Sequence, residues 1–173
     1  SRPAVAAAFS RDGTRVVTTD ADDRTAKVWD AATGAELLTL RGHTGVAFGC
    51  AFSPDGSRVV TDGVDRTARV WDAKTGAPRL VLRAYTVEGS GAAFSPDGAR
   101  LLTAGGVAKV WDAATGAELL DLTGAGAEVR CAAYNADGAR IVTGARDGTC
   151  KVWDANTGAE LLALKGHTGP VQA

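Results

Sequence analysis

KVWDAATGAELLTL, Lys27 to Leu40, is the stretch whose reading decides the fold. Val-Trp-Asp recurs at Val28-Trp29-Asp30, Val70-Trp71-Asp72, Val110-Trp111-Asp112 and Val152-Trp153-Asp154, and these hold all four tryptophans of the 173-residue chain. Successive tryptophans stand 42, 40 and 42 residues apart. The chain is therefore an array of units of about 40 residues. A second signal, an aromatic followed by a turn, keeps step with the first: FSRDG from Phe9, FSPDG from Phe52 and from Phe94, YNADG from Tyr134. Two signals in register, each four times over, mark an internal repeat.

Each unit reads as four short strands. In the second unit, residues 46–52 are apolar and β-prone until Ser53-Pro54-Asp55-Gly56 stops them. Pro at the second turn position and Gly at the fourth suit a type I turn. Further strands are expected over 57–62, 67–71 and 77–82, separated by Gly63-Val64-Asp65-Arg66 and Asp72-Ala73-Lys74-Thr75-Gly76. Alternation in the third strand puts Ala68 and Val70 on the face opposite Trp71. Helix competes for AATGAELL, because Ala, Glu and Leu favour it. Gly34, Gly116 and Gly158 interrupt those stretches, leaving about seven residues, too few for a stable isolated helix. The unit is an antiparallel meander. One meander cannot bury both faces, but stacking copies against one another does.

Composition sets mild bounds. Hydrophobic content is 45% and charged content 23%, ordinary for a globular chain. A net charge of −1 gives no electrostatic reason to expect nucleic acid or an acidic membrane as partner. No apolar run reaches membrane-spanning length, and no leader-type segment opens at Ser1. Cys50, Cys131 and Cys150 lack metal-ligand spacing. Cys50 matches Ala7, Ala92 and Ala132 in the other units, and Cys150 matches Ala26 and Ala68, so both read as small buried hydrophobes. Unpaired thiols fit a reducing, cytoplasmic compartment.

With the VWD tripeptides, the FSPDG turns, the Gly42-His43 and Gly166-His167 dipeptides and the unit length together, the sequence closely resembles the WD-repeat (WD40) β-propeller family over its whole length. The resemblance implies an all-β fold of four-stranded antiparallel blades set radially around a channel, four blades per chain, over approximately 3–40, 46–82, 88–122 and 128–164. Residues 165–173 would begin a further repeat. FSPDG and Thr-Gly turns would lie on a bottom rim, and GH segments with the Asp turns before the third strands on a top rim. In that family a His, a Ser or Thr, an Asp and the Trp commonly hydrogen-bond into a tetrad, and the second unit offers His43, Thr61, Asp65 and Trp71. A His–Asp pair activating Thr61 as a nucleophile is the catalytic alternative. The tetrad accounts for the same residues as structure.

The other units depart from the pattern. Tyr85 stands where His43 does, and Ala125 stands there in the fourth unit. The third unit has lost the Asp-x-Thr before Lys109 and turns on Gly105-Gly106. The first keeps Thr18, Asp23 and Trp29 without a histidine before them. Rings in this family usually have seven or eight blades. At about 45° per blade, four cover half a circle. The options are a two-chain ring of about eight blades, a piece of a longer propeller, or four blades closing alone under strain. In the two-chain ring, His167 of one chain would complete the tetrad with Thr18, Asp23 and Trp29 of the other.

No cofactor or metal is expected. The carboxylates of Asp20, Asp22 and Asp23 invite a calcium reading but lack the Gly and distal Glu of a calcium loop. His43 and His167 are too isolated for zinc. The resemblance directs attention to the top rim, where Phe48, Ser90 and Arg130, with Glu88 and Glu128 two residues before the latter pair, enter the innermost strands. Tyr85 adds an aromatic nearby. Aromatic and Arg anchors suit a peptide-binding surface, although Phe48 could equally fill the channel mouth. The expectation is a protein-interaction scaffold rather than an enzyme, with a protein or peptide partner and no nucleic-acid or membrane role. The competing readings are a purely structural half-propeller and, by fold analogy alone, an enzyme.

Overall fold

In every repeat the Asp of Val-Trp-Asp builds the turn that follows it. The computed structural model describes residues 4–20, 22–86, 91–125 and 128–171. Asp72 Oδ1 accepts the N–H groups of Lys74 and Thr75 at 2.9 and 2.8 Å, and Asp30, Asp112 and Asp154 do the same in their repeats. This side-chain turn ends the third strand and aims the fourth back along it. The FSPDG segments are built the same way. Gly56 N–H donates to Ser53 O at 2.8 Å, while Ser53 Oγ accepts the Arg58 N–H at 2.9 Å.

Sixteen strands result, and no helix occurs among the described residues. The first blade is β1 (Ala4–Phe9), β2 (Arg15–Asp20), β3 (Thr25–Asp30) and β4 (Glu36–Arg41). The second is β5 (Ala47–Phe52), β6 (Arg58–Gly63), β7 (Ala68–Asp72) and β8 (Pro78–Leu82). The third is β9 (Ala92–Phe94), β10 (Arg100–Gly105), β11 (Val107–Asp112) and β12 (Glu118–Asp121). The fourth is β13 (Val129–Tyr134), β14 (Arg140–Ala145), β15 (Cys150–Asp154) and β16 (Glu160–Leu164). Each forms its own antiparallel sheet in chain order. AATGAELL is turn and strand, as the interrupting glycines require. The third blade's shortened hairpin pairs Gly105 with Val107, so the chain reverses on Gly106 at φ 80°.

Three apolar layers hold the blades together. Between the first and second, Val17, Val28 and Leu40 meet Val59, Trp71 and Ala73. Between the second and third, Val60, Val70 and Leu82 meet Phe94, Leu101 and Trp111. Between the third and fourth, Leu102, Val110 and Leu122 meet Ile141, Trp153 and Ala155. Each blade thus presents a front face carrying the Trp to the blade before it, and a back face of aliphatic residues to the blade after it.

An arginine clamps each junction at the bottom rim. Arg15 Nη1 and Nη2 donate to Ala73 O (3.0 Å) and Gly56 O (2.6 Å) of the next blade, with the guanidinium 5.1 Å from the Phe52 ring centre. Arg58 repeats this on Ala113 O (3.1 Å), Gly98 O (2.7 Å) and the Phe94 ring at 5.0 Å. Arg100 bonds Ala155 O and Asn156 Oδ1 of the fourth blade. Phe52 and Phe94 are therefore both strand terminators and platforms for the preceding blade's arginine. The bottom ends of all four innermost strands, at Phe9, Phe52, Phe94 and Tyr134, line one open cavity of about 520 Å³.

Candidate functional site

The structure brings His43, Thr61, Asp65 and Trp71 into one hydrogen-bonded chain. Trp71 Nε1–H donates to Thr61 Oγ1 at 2.9 Å, and Thr61 Oγ1 lies 2.8 Å from His43 Nε2. His43 Nδ1 lies 3.0 Å from Asp65 Oδ2, which also accepts the Thr44 N–H at 2.9 Å. The Thr67 N–H and hydroxyl bond Asp65 Oδ1. With the indole able only to donate, the hydroxyl proton goes to Nε2 and the imidazole keeps its proton on Nδ1 for the carboxylate. Burial lowers the His43 pKa despite the opposing pull of Asp65, so the ring is neutral. Burial alone would raise the Asp65 pKa, but the bonds from Thr67, Thr44 and His43 outweigh it and lower it.

This geometry rules out a nucleophilic role for Thr61. The residue is fully buried, and its oxygen is engaged by both indole and imidazole. A substrate carbonyl cannot reach it. The four residues are blade cement.

The other blades keep parts of the arrangement. Thr18, Thr103 and Thr143 each accept an indole N–H, from Trp29 (2.8 Å), Trp111 (2.9 Å) and Trp153 (3.0 Å). In the first blade Asp23 accepts the Thr25 N–H and hydroxyl at an exposed turn, and Thr18 is half-buried. His167 is exposed, on a segment that follows the outermost strand of the fourth blade. Within the single chain it does not join Thr18, Asp23 and Trp29.

Phe48, Tyr85, Glu128 and Arg130 of the top-rim residues are described, while Glu88 and Ser90 lie outside the described residues. Phe48 and Arg130 both sit in β-bulges, where the pairing of β5 with β6 shifts between Ala47 and Cys50, and that of β13 with β14 between Val129 and Cys131. A bulge re-aims a side chain at the end of a strand. Phe48 is half-buried, and its carbonyl accepts the Thr19 hydroxyl of the first blade at 3.0 Å. Arg130 is ion-paired to Glu128, whose other oxygen meets Arg146 at 3.0 Å. Glu128 itself has φ 57°, a conformation that side chains with Cβ adopt at some cost.

Tyr85 corrects the sequence reading. It is not a surface aromatic but part of the core between the second and third blades, with its hydroxyl 3.3 Å from Gly91 O. Val60 and Phe94 belong to the same apolar layer and bury the ring. Beside it lies Asp62, a fully buried carboxylate that sequence reasoning missed. Asp62 Oδ1 accepts the Gly49 N–H at 2.8 Å, pinning the bulge, and burial raises its pKa. Its equivalents in the other blades, Thr19, Ala104 and Gly144, gave no signal of an ionisable position.

Asp20 Oδ1 bonds the N–H groups of Asp22 and Asp23, a local turn. Among the described residues no group of three or more His, Cys, Asp or Glu is placed to hold a metal ion. Burial pushes the Cys50 thiol up to about 12.

The family model "WD domain, G-beta repeat" matches residues 2–30, 34–72 and 116–154. The chain belongs to the WD40-repeat family. Each WD40 match ends on the Asp of a Val-Trp-Asp, and the match over 34–72 spans the outermost strand of one blade and three strands of the next. The sequence repeat is therefore offset from the structural blade: the first-to-second and third-to-fourth blade junctions lie inside matched repeats. The third blade, which lost two residues, falls mostly between matches.

Among relatives, "Ribosome assembly protein 4" of Chaetomium thermophilum is 38% identical over 55 residues, 32% of this chain and 11% of that protein. "Dynein assembly factor with WD repeat domains 1" of Danio rerio is 43% identical over 58 residues, 33% and 14%. "Uncharacterized WD repeat-containing protein sll1491" of Synechocystis is 38% identical over 53 residues, 31% and 15%. The aligned stretches thus span about one repeat and a fraction of each relative's length. WD40 repeats indicate a protein-interaction scaffold in general.

Proposed function

We propose that this WD40 array binds an extended peptide or a loop of a protein partner across its top rim, in a reducing compartment suited to its three unpaired thiols. The observation that carries the reading is the pair of bulges that set Phe48 and Arg130 at equivalent places on the innermost strands of the second and fourth blades. The half-buried Phe48 supplies an apolar anchor, and Glu128, Arg130 and Arg146 supply a charged rim that can exchange its internal ion pairs for a partner's. Aromatic and Arg anchors of this kind concentrate binding energy in few residues. Relatives named as assembly factors agree with a recruiting role.

An immobilised library of extended peptides tests it. The wild-type chain should retain a subset that Phe48→Ala and Arg130→Ala release, with the β-sheet circular dichroism unchanged. Retention unaffected by both substitutions would remove the top rim as the site. A structural role carried by the blade faces is the second reading, favoured by the exposed apolar residues of the first and fourth blades.

A further inference from the structure

The three internal junctions share one chemistry, and the structure leaves one unpaired copy of each half of it. The back-face residues Val17, Val60 and Leu102 are buried, whereas Val142 in the same register is 40% exposed. Leu40, Leu82 and Leu122 are buried, whereas Leu164 is 47% exposed and Leu162 beside it 53%. On the front face, Phe94 is buried and Phe52 half-buried, but Phe9 is 69% exposed. Ala73, Ala113 and Ala155 are buried, and their counterpart Ala31 is exposed.

The finer contacts agree. A Cβ placed on Gly76, Gly116 or Gly158 would meet the leucines of the blade before at 3.5, 3.0 and 3.4 Å, and one on Gly34 would meet nothing. Arg15, Arg58 and Arg100 each reach carbonyls of the next blade, while Arg140, in the same register, is exposed. The surface that Arg140 matches is Phe9 with the carbonyls of Ala31 and Gly13. The chain therefore carries a complete donor half on its fourth blade and a complete acceptor half on its first.

We propose that the fourth blade docks the first blade of a second copy of this chain, head to tail, and that two copies close one ring. Leu162 and Leu164 pack over the second copy's Gly34. Arg140 stacks on its Phe9 and donates to its Ala31 and Gly13 carbonyls. The segment after β16 already runs as a neighbouring blade requires: Val171 N–H donates to Ala145 O at 3.1 Å, and Gly148 lies under the His167 carbonyl. His167 then bridges Thr18 and Asp23 of the second copy as His43 bridges Thr61 and Asp65, completing an indole–hydroxyl pair that now lacks its imidazole. At the junction, Val171 and the second copy's Ala4 claim the same place, so one of the two segments yields. The second copy's first blade carries, in register, the acceptor residues that the three internal junctions use.

Light scattering of the full chain across concentrations is the test, with blocked-face variants. Wild type should reach twice the 17.6-kDa chain mass. Val142→Asp blocks the back face and Ala31→Arg the front face, both at exposed positions where the lone chain folds unhindered. Each variant alone should remain monomeric, and mixing them should restore a two-chain species, because each keeps one sound face. Arg140→Ala should raise the dissociation constant about tenfold or more. A wild-type chain monomeric at every concentration overturns the proposal and assigns both faces to further repeats of a longer protein. Mass growing without limit overturns ring closure. Failure of the mixture to associate, or loss of association in only one of the two blocked variants, overturns the head-to-tail geometry.

Discussion

Replacing each tetrad threonine by valine isolates what the histidine adds to a blade. Thr→Val keeps the shape and removes the hydroxyl. At Thr61 two buried partners lose their bond, the Trp71 indole at 2.9 Å and the His43 imidazole at 2.8 Å, and water cannot enter to replace it. An unsatisfied buried group costs about 1–3 kcal/mol, and the added methyl returns part of that, so Thr61→Val should destabilise by about 3 kcal/mol. At Thr103 and Thr143 only the indole of Trp111 or Trp153 is stranded, which predicts about 1.5 kcal/mol each. At Thr18 the pair with Trp29 is half-buried and water can substitute, so the cost should be about 0.5 kcal/mol in the monomer. The assay is urea unfolding followed by tryptophan fluorescence at one protein concentration, comparing variants whose m-value matches wild type. Thr61→Val no more costly than Thr103→Val would refute the reasoning, since the imidazole bond would then contribute nothing.

Stability should also fall on acidification in a defined window. The His43 pKa is lowered in the fold from its ordinary 6.5, so the unfolded chain binds more protons below that pH. This contribution is complete above about 6.5 and declines as pH falls, and His43→Gln should flatten the slope between pH 7 and 5 seen in urea midpoints. Asp65, whose pKa lies below 3.8, adds a separate loss only at more acid pH. Arg58→Ala should cost about 2–3 kcal/mol through its two carbonyl bonds and its stack on Phe94, while Arg140→Ala should leave the stability of the monomer unchanged, both read by thermal melts at low concentration. Gly116→Ala pays for φ 75° and a 3.0 Å approach to Leu82, whereas Gly34→Ala pays only for φ 72°, so the first should lower the melting temperature more. A chain ending at Gly169 keeps His167 and clears the place that Val171 claims, so sedimentation should show tighter self-association than in the full chain.

What was legible beforehand follows the range of the forces involved. The repeat, the four strands per unit and the turns are written in neighbouring residues: Asp72 Oδ1 holds Lys74 and Thr75, and the Ser53 hydroxyl holds Asp55 and Arg58. Interactions two to five residues long survive in any context, so their pattern declares itself in the chain. The tetrad members were nameable because the family motif places them, although their donor order comes from the coordinates.

The sequence by itself thus determined the unit, its strand order and the number of blades. Only the tertiary structure decided which faces are covered. Tyr85 looked like a rim residue until the third blade closed over it, and Asp62 became a buried carboxylate because two blades meet there. Phe9, Phe52 and Phe94 are alike in sequence, yet one is bare and the others carry an arginine from the blade before. Burial is a property of what lies some 40 residues away in the chain and one blade away in space, and identical residues acquire different roles from the presence or absence of that neighbour.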